Sequence, residues 1–228
     1  MTAKVDSKKF EVLTKWYLRF NGYFTVDNFI IHAADDKQRI SNGYVGNYTD
    51  IDVLGLRMPF HLEQTGELEI VTHDKLYCTD KIDVIIAECK TGNQNGLNPI
   101  WSNGNAKAIE YLLKFCGLFN TEKQVKEVAS ELLTNLKFED DRIRIRPILF
   151  AQQPPAKSWQ DKRLTFISCS DIVDFLIGQR GECWVESEIG VRSIHDPWDK
   201  LINDIFKVAN DLTTTSEYKK ALVYQILK

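Results

Sequence analysis

Two short stretches hold side chains suited to chemistry. One is Thr49-Asp50-Ile51-Asp52-Val53-Leu54, and the other is Glu88-Cys89-Lys90. In an extended strand Glu88 and Lys90 project from one face and Cys89 from the other. The run before them, Val84-Ile85-Ile86-Ala87, is continuously apolar, as a strand covered on both faces requires. Charged residues at the end of such a strand are costly to bury without partners. If the strand carrying Asp52 pairs beside the strand carrying Glu88, two carboxylates meet. They repel unless something positive lies between them. Hard oxygen ligands of this kind suit Mg²⁺ or Mn²⁺, which take one or two carboxylates and keep several waters. Lys90 is then placed to meet a carboxylate or a phosphate.

The surrounding pattern predicts elements that would position these residues. Phe10, Leu13, Tyr17 and Phe20 recur at helical spacing over 7–20, with Ser7 or Asp6 as the cap and Asn21-Gly22 as the stop. Strands are expected at 23–32, 49–58 and 81–91, with a polar loop at 33–47 and an insertion, a hairpin arm, at 59–80. Residues 93–104 read as a loop. Helices follow at 105–118 and 121–136, the second opening on a capping-box pattern at Thr121-Glu122-Lys123-Gln124. Strands are expected at 142–151 and 164–168, with a Pro-rich loop at 152–162. A helix capped by Ser170 or Asp171 runs to about 179. Residues 181–228 read as an irregular or β segment followed by helices at 197–212 and 216–227. The order predicts an α/β fold: a mixed sheet flanked by helices. It divides into a core at 1–180 and a mostly helical extension at 181–228.

Asp…Glu-x-Lys at the ends of adjacent strands, preceded by a helix bearing Glu11, resembles the PD-(D/E)XK nuclease superfamily. These are the restriction-endonuclease-like and Holliday-junction-resolvase-like enzymes. The resemblance covers about 7–179 and assigns no subfamily. Its core order is helix, three strands, helix, strand, helix. Two departures stand out. The proline of the motif name is absent, and Asp52 and Glu88 lie 36 residues apart (52 to 88), which requires the insertion. The resemblance implies a Mg²⁺-dependent nuclease, with DNA favoured over RNA as substrate. Asp52, Glu88 and the Cys89 backbone carbonyl would hold Mg²⁺ (or Mn²⁺), which polarises the scissile phosphate and acidifies a bound water. Lys90 would orient that water or stabilise developing charge. Glu11 would complete the metal shell, directly or through water.

Each residue also has a plainer use. Glu11 could be a solvated first-turn residue favoured by the helix dipole. Asp50 could be a second ligand or only a neighbour of Asp52. Cys89 reads as a packed thiol. Gln152, just past a core strand, and Lys107, on the helix after the motif, are candidates for lining a nucleic-acid cleft. Arg142, Arg144 and Arg146 alternate with isoleucines and form a basic stripe able to track a phosphate backbone. A solvated face paired with Glu139, Asp140 and Asp141 explains them equally well. Trp101 could stack on a base, with packing the stronger alternative. His32, His61, His73 and His195 are scattered and carry no assignment.

Composition bounds the rest. At 228 residues, 43% hydrophobic and 27% charged, the chain is neither disordered nor low in complexity. The formal net charge of -3 is not the footprint of a dedicated nucleic-acid binder. Any affinity must come from a local positive face, a second copy of the chain or a partner subunit. The apolar residues of the C-terminal helices, Trp198, Ile202, Ile205, Phe206, Leu222, Tyr224 and Leu227, offer an association surface or core packing. Five cysteines without CxxC spacing predict reduced thiols and a cytoplasmic protein. No apolar run is long enough to span a bilayer, and no signal peptide is expected. The rival from another class is an inactive nucleic-acid-binding or assembly protein that retains the fold.

Overall fold

The computed structural model describes residues 4–32, 47–60, 64–65, 68–69, 72–78, 80–93, 95–102, 104–178 and 199–228. Helix α1 spans Ser7–Phe20 and is capped by Asp6, whose carboxylate accepts Lys9 N–H. It stops at Asn21-Gly22, where glycine takes a φ of 84°. Strands β1 (Phe24–His32) and β2 (Asn47–Arg57) follow. The insertion contains a short hairpin, β3 (Gln64–Thr65) and β4 (Leu68–Glu69), then a 3-10 turn at Asp74–Leu76. Next come β5 (Ile82–Lys90), the one-turn α2 (Pro99–Ser102), α3 (Ala106–Cys116) and α4 (Glu122–Asn135). The chain continues through β6 (Phe138–Glu139), β7 (Ile143–Ala151), α5 (Lys157–Asp161), β8 (Thr165–Ser168) and α6 (Cys169–Ile177). It ends in α7 (Lys200–Ala209) and α8 (Ser216–Leu227).

The fold is α/β, with a mixed six-stranded sheet flanked by helices. Strand order is β1-β2-β5-β7-β6, with β8 also on β7. β1, β2 and β5 are antiparallel neighbours, and β5 runs parallel to β7. The far edge of β7 is shared. β6 pairs with Arg144 and Ile145, and β8 pairs with Ile148 to Ala151. Pro147, which has no N–H to donate, falls in the gap between them.

Alternation along the strands feeds two cores. Ile85, Ala87, Ile148 and Phe150 pack under α1, α6, α7 and α8. Val84, Ile86, Ile145 and Leu149 pack under α3 and α4. Ile202, Ile205, Phe206 and Leu227 of the C-terminal helices are buried in the first core. Asp6 N–H also donates to Leu227 O at 2.9 Å, which ties the C-terminus to the start of α1. Core packing, rather than an association surface, is therefore the use of these four residues.

Several local expectations are corrected. The cap of α6 is Ser168, not Ser170 or Asp171. Ser168 and Asp171 each bond the other's backbone N–H, forming a capping box. The expected loops at 93–104 and 152–162 contain α2 and α5, which are too short to show a helical period. Helix α7 is shorter at both ends than 197–212 and is capped by Asp199. Residues 33–46 of the expected loop and 181–196 of the extension lie outside the described residues, as do His61, Cys183, His195 and Trp198. Among the described residues no helix is long and apolar enough to cross a membrane.

Candidate functional site

The sheet opens where the charges meet. The β2–β5 ladder pairs Arg57 with Asp83 through Val53 with Ala87 and stops there. The next step would set Asp52 against Glu88. On the other side of β2, register would set Asn28 against Asp52, yet that pair is also missing and Asn28 takes a φ of 50°. Asp52 thus sits where β2 parts from β5, while β1 stays paired with β2 on either side of it through Asp27–Val53 and Phe29–Ile51. Its side chain takes over the bonding: Asp52 Oδ2 accepts the backbone N–H of Cys89 at 2.6 Å.

Glu88 is fully buried, and Lys90 points the same way from the strand end. Lys90 Nζ lies 3.1 Å from Glu88 Oε2 and 3.9 Å from Asp52 Oδ2. It also donates to Asn98 Oδ1 at 3.4 Å, while Asn98 Nδ2 donates to Asp50 O at 3.1 Å. The loop before α2, itself bonded to β2, therefore also holds the ammonium. The second oxygen of Glu88, Oε1, is buried and has no hydrogen-bond partner among the described residues. A bare carboxylate oxygen in that position is costly and calls for a proton or a cation.

Electrostatics follow from burial. Burial pushes the Glu88 carboxyl up to about 7, with Lys90 opposing and Asp52 reinforcing the rise. Asp52 is also raised, first by burial, against the pull of the Cys89 N–H and Lys90. Burial works against the charge on Lys90, but Glu88 and Asp52 outweigh it and hold the ammonium more firmly protonated than usual. Glu11 on α1 belongs to the same field. It is raised by its partial burial and then by the charges of Asp52 and Asp50.

Cys89 points to the opposite face, against the α1 core, and burial raises its thiol well above the ordinary range. This is a packed, protonated sulfur beside Thr14, not a nucleophile.

Among the described residues no three His, Cys, Asp or Glu side chains converge as a ready-made metal cage. The donors present fit a cation that needs only two carboxylates and brings its own water. Among the described residues those donors are the unpartnered Glu88 Oε1 and Asp52, whose contacts with Cys89 and Lys90 both use Oδ2.

The other candidates scatter. Gln152 lies beside the site as a brace: its Oε1 accepts Val5 N–H at 3.2 Å and Gly92 N–H at 3.0 Å. Lys107 is exposed near the start of α3. Trp101 is buried in the second core, as packing requires.

The arginine stripe is not a free basic face. Arg144 binds Asp83 through two nitrogens at 2.8 and 2.7 Å, and Arg146 reaches the same carboxylate at 3.5 Å. Asp83 stands at the start of β5, five residues from Glu88 and on the opposite face of the sheet. Arg142 is exposed, and its backbone N–H is bound by Asp140. Glu139, expected as a partner of the stripe, pairs instead with Lys81 and Lys137.

Two site residues escape sequence reasoning. Asn98 sits in an aperiodic loop among several asparagines, and nothing local marks it. Asp83 is a lone acid at the start of an apolar strand, and that could have been noticed. No family model matches this chain, and no curated protein or solved structure matches it.

Proposed function

We propose that the chain is a metal-dependent nuclease that hydrolyses phosphodiester bonds, with DNA favoured over RNA as substrate. The observation that carries the reading is the buried Glu88 Oε1, unpartnered among the described residues, beside Asp52 and Lys90 at the point where β2 parts from β5. The helix–strand order around the site is consistent with the PD-(D/E)XK resemblance.

Asp52, Glu88 and the Cys89 carbonyl would hold Mg²⁺ or Mn²⁺. A divalent ion there supplies charge to polarise a phosphoryl oxygen and acidifies water. Lys90 would donate to the attacking water or to the phosphoryl oxygen on which charge develops. Asn98 keeps the Lys90 ammonium at the strand end. Glu11 lies close enough for its charge to count, and would accept a proton from water in the outer shell. Burial of Glu88 keeps bulk water from competing for its oxygens, so fixed charges act at greater strength.

One observation favours the rival reading, a protein that binds nucleic acid or assembles without cleaving. Lys90 already lies within reach of both carboxylates, which a purely structural ion pair would also do. The net charge of -3 points the same way and implies that affinity depends on a second copy or a partner subunit. The four described cysteines are free, which supports placement in a reducing, cytoplasmic setting.

The test is cleavage of labelled DNA and RNA substrates with Mg²⁺ or Mn²⁺, comparing the natural chain with Asp52→Ala and Lys90→Ala. Metal-dependent cleavage lost in both variants supports the nuclease. Cleavage that persists in both assigns it to a contaminant or another site. No cleavage together with no Mn²⁺ binding by calorimetry favours the scaffold.

A further inference from the structure

On the sheet face opposite Glu88, three guanidiniums surround one carboxylate, those of Arg57 and Arg146 buried and that of Arg144 partly so. Arg144 and Arg146 lie 2.7 and 3.5 Å from Asp83 Oδ2, and Arg57 lies 3.9 Å from it. Among the described residues no second carboxylate forms an ion pair with these arginines. Tyr23 donates its hydroxyl to Asp83, and burial keeps both Tyr23 and Tyr17 protonated. Asp171 acts on Tyr17 but is held by Lys75 and the Ser168 N–H. Among the described residues two positive charges are therefore left over beside Asp83, which is costly to the extent that they are buried.

The three arginines are not equally provided for. Arg57 donates to Asn21 O at 3.0 Å, Leu76 O at 2.5 Å and Cys78 O at 2.9 Å, and lies over the Tyr23 ring. Arg144 makes a two-point bond to Asp83. Among the described residues Arg146, about nine-tenths buried at 9% side-chain exposure, has only its 3.5 Å contact, and its Nε has no partner. The Tyr17 hydroxyl, buried and within reach of the Arg146 charge, is also unpartnered among the described residues. Two buried donors lacking an acceptor, beside more positive than negative charge among the described residues, call for one group that is both acceptor and anion. A water would fill the first need and not the second.

We propose that this cluster is a binding site for a small oxyanion, a phosphate or a carboxylate, held by Arg146 with Tyr17 as second donor. The site goes beyond the nuclease reading and does not depend on it. Five residues of β5 separate Asp83 from Glu88, roughly 16 Å along the strand, and the two face opposite ways, so one phosphate cannot serve both.

The experiment is calorimetry and thermal unfolding of the full chain with inorganic phosphate and, separately, acetate, each against sodium chloride at equal ionic strength. Arg146→Gln and Tyr17→Phe test the two donors, and Asp52→Ala tests independence from the other site. Arg146→Gln leaves the Arg144–Asp83 bond intact, and Tyr17→Phe removes only a hydroxyl. The expected result is saturable binding of phosphate, or of both anions, beyond the chloride control. It should weaken about tenfold in Arg146→Gln and severalfold in Tyr17→Phe, and stay unchanged in Asp52→Ala. Absence of saturable binding by the natural chain overturns the proposal. So does binding that Tyr17→Phe and Arg146→Gln leave unchanged, or binding lost in Asp52→Ala. Should Arg146→Gln fail to fold, Tyr17→Phe decides by the same criterion.

Discussion

Asp52 Oδ2 accepts the backbone N–H of Cys89 at 2.6 Å, one step beyond the last β2–β5 pair. A side chain thus replaces a ladder bond and leaves a carboxylate in the opening. Its two duties can be separated. Asp52→Asn keeps an acceptor for the N–H and removes the charge, whereas Asp52→Ala removes both. Asp52→Asn should retain stability within about 1 kcal/mol, and Asp52→Ala should lose about 1–2 kcal/mol more in urea unfolding. Both should lose Mn²⁺ binding and cleavage. Tight Mn²⁺ binding by Asp52→Asn would remove Asp52 from the metal shell.

Lys90 separates binding from chemistry. Its ammonium repels an incoming divalent ion and attracts developing phosphate charge. Lys90→Met should therefore bind Mn²⁺ at least as tightly as the natural chain while cleavage falls about 10²- to 10³-fold. The pairing of calorimetry with single-turnover cleavage checks this. Parallel loss of both would make Lys90 a structural support of the carboxylates instead.

The elements and the meeting of Asp52 with Glu88 were legible because they rest on local periodicity and adjacent strands. Strand alternation placed Glu88 and Lys90 on one face and Cys89 on the other, and the packing agrees. Alternation also placed Arg144 and Arg146 together, but it cannot say which face is buried. Their partner, Asp83, comes from a strand 61 residues before Arg144, and only the parallel β5–β7 register brings Asp83 beside Arg144. Asn98 is further from reach, since its position depends on a loop that no period describes. The Ser168 cap was missed for a smaller reason. β8 runs directly into α6, so no loop marks where one ends.

Glu88 should make the metal-free protein sensitive to pH. Its carboxyl is raised from an ordinary 4.5 to about 7 by burial. Between those values the folded chain keeps a proton that the unfolded chain has released. Stability from this group is therefore full below 4.5 and is lost as pH rises through about 7. The loss is on the order of a few kcal/mol, reduced by whatever Lys90 returns. Glu88→Gln cannot ionise. In the presence of a chelator it should match the natural chain near pH 5 and exceed it near pH 8, as followed by urea midpoints. Identical pH profiles for the two would show that Lys90 already offsets the burial of Glu88.

Asp83 should behave in the opposite sense. Burial alone would raise its carboxyl, but Arg144, Arg146 and the Tyr23 hydroxyl outweigh burial and hold it below the ordinary range. Its contribution is present above the unfolded value of 3.8 and is lost as pH falls through the folded one. Asp83→Asn keeps the shape and removes the only charge facing three guanidiniums among the described residues. That should cost about 3–5 kcal/mol at neutral pH, because the arginines stay buried without their counter-charge. For a chain of this length the melting midpoint should fall by roughly 10 °C. The gap between the natural chain and Asp83→Asn should narrow in acid, where the natural carboxylate is itself protonated. A variant as stable as the natural chain at neutral pH would mean that the arginines draw their compensation from elsewhere, and a bound anion, removable by dialysis, is then the first candidate to assay.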